Sequence, residues 1–192
     1  MMIWPNAVTF HKISDDIFFL FFFLPVHPAY VYGPLVPGTK IAKNDFGSLS
    51  TVAYFWQAVL PEGGSAVTIK RDKHPVAPFN VDVRDVARAH VLALTAPLTS
   101  EVGRKRIIVA GPSMPWIDAV IHLKKAMPEL GDRLPTVAEG AAEEPPLPAL
   151  SGSMNRAEKL LGMKPEEMVD WKKTAEDTVK CILEVEQQWK AE

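Results

Sequence analysis

Cysteine is nearly absent from this sequence of 192 residues, since Cys181 is the only one. A single cysteine excludes an internal disulfide and any zinc site built from several thiolates. It suits a reducing compartment, so we expect a cytoplasmic protein in which Cys181 is a small apolar residue on a helix.

The five histidines lie far apart and show neither the i, i+4 pair nor the neighbouring carboxylates of a metal-binding helix: His11, His27, His74, His90 and His122. We therefore predict no metal site.

The sequence also lacks an excess of charge of either sign. Its formal net charge is -2, and no block of lysine and arginine occurs in it. Nothing therefore gives the chain a general attraction for nucleic acid, and we predict no nucleic-acid partner. A chain of this length that is 47% hydrophobic and 23% charged can bury enough surface for one globular domain.

Long hydrophobic runs are missing too, with one short exception at residues 17–24 (IFFLFFFL), which Pro25 closes. This run is too short to cross a bilayer, which takes about 20 residues in a helix, so we predict no membrane span. A signal peptide is disfavoured because Asp15 and Asp16 stand where basic residues belong and no small-residue cleavage site follows. A short aromatic run is typical of a strand buried in a parallel sheet. We expect this strand to lie at an exposed edge or face of the sheet, where it would favour self-association.

No glycine-rich phosphate loop is present. The 11 glycines nowhere show the Gly-x-x-Gly-x-x-Gly spacing that lets a backbone approach a dinucleotide pyrophosphate. Residues 33–40 (GPLVPGTK) superficially resemble a P-loop, but the segment ends in Thr-Lys rather than Lys-Thr. Pro34 and Pro37 each remove an N–H that a phosphate would need. We therefore predict neither kind of nucleotide cradle.

The sequence does contain a series of alternating elements separated by its 17 prolines. Asp82 is expected to cap one helix, with Asp85 completing a capping box, and Ser113 to cap the next, with Pro115 in its first turn. Periodicity and turn residues predict helices at 47–60, 82–95, 113–126, 155–161 and 171–189, strands at 79–81 and 106–110, and an exposed excursion at 135–153.

Two segments carry a family resemblance: residues 27–34 (HPAYVYGP) and 80–90 (NVDVRDVARAH). Together they resemble the second half of an extended short-chain dehydrogenase/reductase, in the NAD-dependent epimerase/dehydratase superfamily. The similarity is to the branch of dihydroflavonol, cinnamoyl-CoA and aldehyde or methylglyoxal reductases, and it covers residues 24–189. It implies an α/β fold with a truncated, Rossmann-like parallel sheet remnant and a mostly helical substrate-binding domain. Residues 1–16 would be an atypical leader, and 17–192 the carboxyl-terminal part of the reductase.

The resemblance implies a reductase whose cofactor is NADP or NAD. The reduced cofactor transfers a hydride to a small carbonyl substrate. In the family a tyrosine protonates the alkoxide, and a lysine four residues later on the same helical face favours its phenolate. Residues 1–26 contain no tyrosine. The tyrosines that do occur, Tyr30, Tyr32 and Tyr54, are followed four residues later by Pro34, Val36 and Ala58. We therefore assign no catalytic residue and expect this chain to bind cofactor weakly and to be inactive or nearly so.

The resemblance also assigns a partial site. In the family, the segment that matches residues 28–31 passes under the nicotinamide, so Pro28 and Val31 are expected to contact the cofactor. Ser48 falls near the cofactor by a weaker similarity, because Gly47 departs from the usual residue. Two structural alternatives stay open: Pro28 simply ends a strand, and Ser48 caps a helix.

The aromatic and charged residues around this partial site have different expected roles. Tyr32 and Tyr54 are expected near the carbonyl substrate. Arg84 is expected to tie its helix to the neighbouring strand, and Trp116, in the first turn of an amphipathic helix, to cover the core rather than a pocket.

Two further interpretations of the whole chain remain. In one, the chain is a non-enzymatic interaction protein or fragment that pairs with full-length relatives. In the other, it is a mispredicted gene product whose residues 1–24 derive from intron or misjoined sequence. The unusual composition of residues 1–24 favours the second, whereas a stable 192-residue product in cells would favour the first.

Overall fold

The computed structural model describes residues 25–70, 79–97, 101, 103, 106–141 and 154–191. The strand predicted at 17–24, its self-association and the leader at 1–16 lie outside these residues. Within the described residues, no helix is long and apolar enough to span a membrane. Over the same ranges, no group of three His, Cys, Asp or Glu side chains is placed to hold a metal ion.

Short strands in the described residues form three parallel pairs. β1 (Val26–Pro28) pairs with β5 (Ile107–Val109), β2 (Tyr30–Tyr32) with β4 (Asn80–Asp82), and β3 (Thr68–Ile69) with β6 (Thr136–Val137). Parallel pairing requires long crossover connections, and helices occupy them. Those helices are α1 (Thr51–Val59), α2 (Val83–Ala93) and α3 (Trp116–Ala126), while α4 (Asn155–Leu161) and α5 (Trp171–Ala191) follow the last strand, β6. The predicted α/β class with short parallel strands is confirmed.

A bend at Ala29 separates β1 from β2 and passes the chain from one strand partner to another. The N–H of Ala29 donates to the carbonyl of Val109 at 3.0 Å, and the next N–H, that of Tyr30, donates to the carbonyl of Phe79 at 3.3 Å. The N–H of Gly111 donates to the carbonyl of Asn80 at 2.7 Å, which joins the ends of the two partner segments. The bend therefore brings residues 28–30 beside the start of β4.

Two hydrophobic clusters stabilise the described part of the chain. The larger one packs α1, α3 and α5 together, and Trp116 lies inside it with 4% of its surface exposed. The smaller one packs α2 and α4 against β4 and β5. Burial of Trp116 agrees with the expectation that this residue covers the core.

Asp82 caps α2 as predicted, and it also holds together three elements of the fold. Its Oδ1 accepts from the backbone N–H of Arg84 at 2.8 Å, and its Oδ2 accepts from the hydroxyl of Thr174 in α5 at 2.7 Å. The guanidinium of Arg84 bonds to the Asp82 carboxylate at 2.7 Å and to Asp177 at 2.9 Å. Arg84 thus ties α2 to the strand end, as expected, and additionally to α5.

Three local predictions about helix starts were wrong. Asp85 does not complete a capping box, because its Oδ2 accepts from the backbone N–H of Val169 at 2.8 Å. Ser113 is not a cap: α3 begins at Trp116 after Pro115, without a side-chain cap, and the Ser113 hydroxyl is buried without a hydrogen-bond partner in the described residues. The first helix begins at Thr51 rather than 47, because residues 43–49 form a 3-10 segment with a non-helical residue at Asp45.

Candidate functional site

The bend at Ala29 forms one side of an open pocket of about 390 Å³. Its lining residues come from three separate segments of the chain: Pro28, Ala29, Tyr30, Thr51 and Phe79. Pro28 is one of the two residues that were expected to contact a nicotinamide ring. The pocket therefore lies where the resemblance places the cofactor end of a reductase site.

Thr51 reaches this pocket because a hydrogen bond fixes the start of α1 to β2. Its hydroxyl donates to the main-chain carbonyl of Val31. The preceding residue, Ser50, has φ 51° and ψ -124°. A positive φ is energetically unfavourable for a residue other than glycine. The backbone N–H of Ser50 donates to the carbonyl of Gly47 at 2.9 Å, which holds this turn closed.

Tyr54 stands one helical turn beyond Thr51 and contacts a residue of the pocket lining. Its ring meets that of the lining residue Tyr30 edge to face, with centroids 6.4 Å apart and planes at 88°. Tyr54 is 49% exposed, so a molecule entering from solvent can reach it. Of the predicted site residues, Pro28 thus lines the pocket and Tyr54 contacts the lining residue Tyr30.

Tyr32 is directed into the core instead. It is 2% exposed and packs against Phe55 and Trp116, with ring centroids at 5.4 and 5.8 Å. Burial raises the pKa of its phenol well above the usual range, and the nearby Tyr30 adds to this. Its hydroxyl has no hydrogen-bond partner among the described residues. Tyr32 does not line the pocket.

Ser48 and Val31 also lie outside the lining. Ser48 is exposed in the 3-10 segment and its hydroxyl donates to the carboxylate of Asp45. It does not cap α1, because the residue at that position is Ser50 and makes no side-chain capping bond. Val31 is partly buried and touches the site through its carbonyl group, which accepts from Thr51.

Sequence reasoning missed Tyr30, Thr51 and Phe79 as lining residues. Phe79 could have been found only with the strand register, because it comes next to the site by accepting from the N–H of Tyr30. Thr51 enters through a contact with Val31 that no sequence pattern signals. Tyr30 carried a signal, since it lies inside the 27–34 segment, between Pro28 and Val31.

A second cavity, of about 520 Å³, contains none of the predicted site residues. Its walls are Trp56 and the loop after α1 on one side and the pair Arg133–Glu186 on the other. Although it is larger, nothing in the sequence resemblance points to it. The pocket at residues 28–30 therefore remains the candidate site.

A scan of known protein families and a search of curated proteins each found no match to this chain. Among solved structures, the chain is similar to Gre2 from Candida albicans in complex with NADPH, at 22% identity and a TM-score of 0.53 over 83% of this chain and 43% of that one. A further crystal structure of Gre2 from the same organism matches at 19% identity and a TM-score of 0.50, over 84% of this chain and 44% of that one. A reductase engineered to attenuate substrate inhibition in asymmetric catalysis matches at 21% identity and a TM-score of 0.50, over 82% and 43%.

The chain therefore has, over its matched part, the fold of these solved structures. It spans less than half the length of the proteins it matches. The family resemblance carried by residues 27–34 and 80–90 is confirmed at the level of the fold.

Proposed function

We propose that this chain is the nicotinamide-side and substrate-binding part of an NAD(P)-dependent carbonyl reductase. The observation that carries the proposal is the pocket at the Ala29 bend, in a chain with the fold of an NADPH-bound reductase. Pro28 lines this pocket and Tyr54 contacts the lining residue Tyr30, which supports a cofactor contact for Pro28 and a substrate contact for Tyr54.

The pocket residues fit the ring end of a nicotinamide cofactor. Pro28 and Ala29 offer an apolar surface at an open bend, which suits a flat ring, and the proposed contact Val31 lies in the next strand, β2. When bound, NADPH or NADH would supply the hydride for the carbonyl carbon. The role of Ser48 near the cofactor and that of Tyr32 near the substrate remain part of the proposal.

The same residues offer no proton donor of the kind the family uses. None of the tyrosines in the sequence has a lysine four residues later. Burial of Tyr32 raises its pKa, and a phenol with a raised pKa gives up its proton less readily. A positioned acid contributes about 10²–10⁴ in rate. We therefore propose that the 192-residue chain by itself has little or no reductase activity.

The purified chain is expected to bind NADPH too weakly for a micromolar Kd and to leave methylglyoxal unreduced. Most dinucleotide affinity comes from a pyrophosphate on a glycine turn, and the sequence contains no such turn. Titration calorimetry with NADPH and an assay of NADPH oxidation measure the two properties. Micromolar binding, or turnover above the uncatalysed rate, would show that other residues do the chemistry and would overturn the assignment.

A further inference from the structure

The second cavity, of about 520 Å³, is a cleft with an apolar wall at the end of α1. Trp56, Leu60 and Pro61 form this wall, and the cavity is called the Trp56 cleft below. The ring of Trp56 stacks on that of Trp189 in α5, with centroids 5.3 Å apart and planes at 14°. The stack holds the indole in place, and the volume suits a small molecule.

Backbone contacts join the two sides of the Trp56 cleft. The opposite side belongs to the 3-10 helix Pro128–Arg133 and to α5. The main chain of Gly64 approaches the carbonyl of Asp132 so closely that no Cβ would fit between them. Beyond this contact, the N–H of Thr136 donates to the carbonyl of Val67 at 2.8 Å, where β3 pairs with β6. The cleft is therefore built into the fold.

The charged side chains of the cleft are mostly acidic. Three carboxylates, those of Glu62, Asp132 and Glu186, and one guanidinium, that of Arg133, line it, which gives a formal charge of -2. Arg133 bonds to Glu186 at 2.5 Å, so these two charges neutralise each other. Among the described residues, the carboxylates of Glu62 and Asp132 form neither a hydrogen bond nor an ion pair.

This arrangement favours a cation over an anion. An anion would find the guanidinium of Arg133 already paired and would approach two free carboxylates. An ammonium compound could bury its apolar part against the Trp56 wall while its charged end stays in water near Glu62 and Asp132, which are both exposed. Exposed ion pairs contribute little each, so the apolar wall supplies most of the affinity and the carboxylates supply the charge selectivity.

We propose that the Trp56 cleft binds a small organic cation, an arylalkyl or alkyl ammonium compound. Its apolar part lies against Trp56, Leu60 and Pro61, and its ammonium lies near the carboxylates of Glu62 and Asp132. The cleft shares no lining residue with the pocket at the Ala29 bend. The proposal therefore does not rest on the proposed reductase function, and failure of either one leaves the other standing.

The test uses three compounds that share a phenyl ring and differ in charge: phenethylamine, phenethyl alcohol and hydrocinnamate. Binding to the purified 192-residue chain is measured by NMR, through the indole N–H of Trp56 and the backbone N–H groups of Gly63 and Gly64. Phenethylamine, protonated at neutral pH, is expected to bind with a Kd of roughly 1 mM. The alcohol should bind about threefold more weakly, and the anion at least about tenfold more weakly. Equal affinities, tighter binding of the anion, or no shift of these signals with phenethylamine would each overturn the proposal.

Glu62→Gln tests the contribution of a single carboxylate. Glu62 lies in the exposed loop after α1, so the variant should fold normally. We expect phenethylamine to bind about threefold more weakly and phenethyl alcohol to bind unchanged. Glu158→Gln is the matched control, because Glu158 is an exposed carboxylate in α4 that does not line the cleft. An equal effect of both variants would mean that net charge alone causes it, and the proposal would fail.

Arg133→Gln should act in the opposite direction. It removes the partner of Glu186 and so leaves a third free carboxylate in the cleft. We expect phenethylamine to bind about threefold more tightly and hydrocinnamate more weakly. Lys159→Gln, at an exposed position of α4, removes the same charge outside the cleft and should change neither affinity. Absence of a gain in Arg133→Gln, or an equal gain in Lys159→Gln, would contradict the proposal.

Discussion

Replacing Asp82 by asparagine is expected to lower the free energy of unfolding by about 3 kcal/mol. The Asp82 carboxylate is 2% exposed and accepts from the backbone and guanidinium of Arg84 and from the hydroxyl of Thr174. An asparagine amide has one oxygen, so its NH2 group would face a donor where the second carboxylate oxygen had accepted. The loss exceeds that of a helix cap alone, which is about 1 kcal/mol.

The loss of unfolding free energy in Asp82→Asn should depend on pH in a defined direction. Burial acts to raise the pKa of Asp82, but the hydrogen bonds and charge of Arg84, with the Thr174 hydroxyl, outweigh it and hold the pKa below its usual value. A lowered folded-state pKa means that this carboxylate stabilises the fold above its unfolded pKa, and that the stabilisation is lost as pH falls through the folded value. The difference between wild type and Asp82→Asn should therefore be largest near neutral pH and shrink in acid. Urea unfolding at several pH values measures it.

Asp85→Asn is the matched control in the same helix. Asp85 is also buried, but burial, together with the nearby Asp82 charge, raises its pKa, so ionisation of Asp85 costs stability as pH rises. An asparagine oxygen can still accept from the N–H of Val169. We expect a change within about 1 kcal/mol, or a gain, at neutral pH. A large loss in this variant equal to that in Asp82→Asn would contradict the distinction between the two carboxyl groups.

Gly64→Ala is expected to be the most destabilising change in the loop after α1, at about 3 kcal/mol or more. A Cβ at this position would overlap the main-chain carbonyl oxygen of Asp132 and would lie 3.2 Å from the Cα of Arg133. Both are backbone atoms, so relief requires the two segments to separate. Gly64 also has φ +51°, which a residue with a side chain adopts at a cost of about 1–2 kcal/mol.

Gly131→Ala separates the effect of the positive φ from that of the steric overlap with Asp132. Gly131 has a nearly equal φ of +49°, but no heavy atom lies within 4 Å of the place where its Cβ would be. Gly131→Ala should lose only the cost of placing a side chain at φ 49° and ψ -126°, about 1–3 kcal/mol. Thermal or urea unfolding of both variants gives the comparison. Equal losses would mean that Gly64 does not make the close approach to Asp132.

The sequence allowed the class of fold and one side of the pocket to be predicted, because those features follow from contiguous segments. The 27–34 segment contains the bend and Pro28, and Asp82 follows a strand directly, so its capping role needed only local spacing. The family resemblance, rather than periodicity, supplied the parallel sheet and the cofactor end of the site.

What could not be predicted depends on partners that are distant along the chain. Asp85 shows the spacing of a capping box, but its carboxylate accepts from the backbone N–H of Val169 instead. Tyr32 and Tyr54 looked alike in sequence, yet β2 directs Tyr32 into the core against Phe55, while α1 leaves Tyr54 exposed. Local sequence patterns indicate which polar groups need a hydrogen-bond partner. Tertiary packing determines which group becomes that partner.

The most direct test of the central claim is to give this chain the part of a reductase that its sequence does not contain. Residues 25–192 would be fused to the amino-terminal half of an NADPH-dependent reductase of this fold, carrying the glycine-rich turn and the Tyr-x-x-x-Lys pair, and NADPH oxidation would be followed with acetophenone and methylglyoxal. The account predicts turnover by the folded fusion at least about 100-fold above that of the 192-residue chain alone. A folded fusion that binds NADPH but reduces neither compound would contradict it.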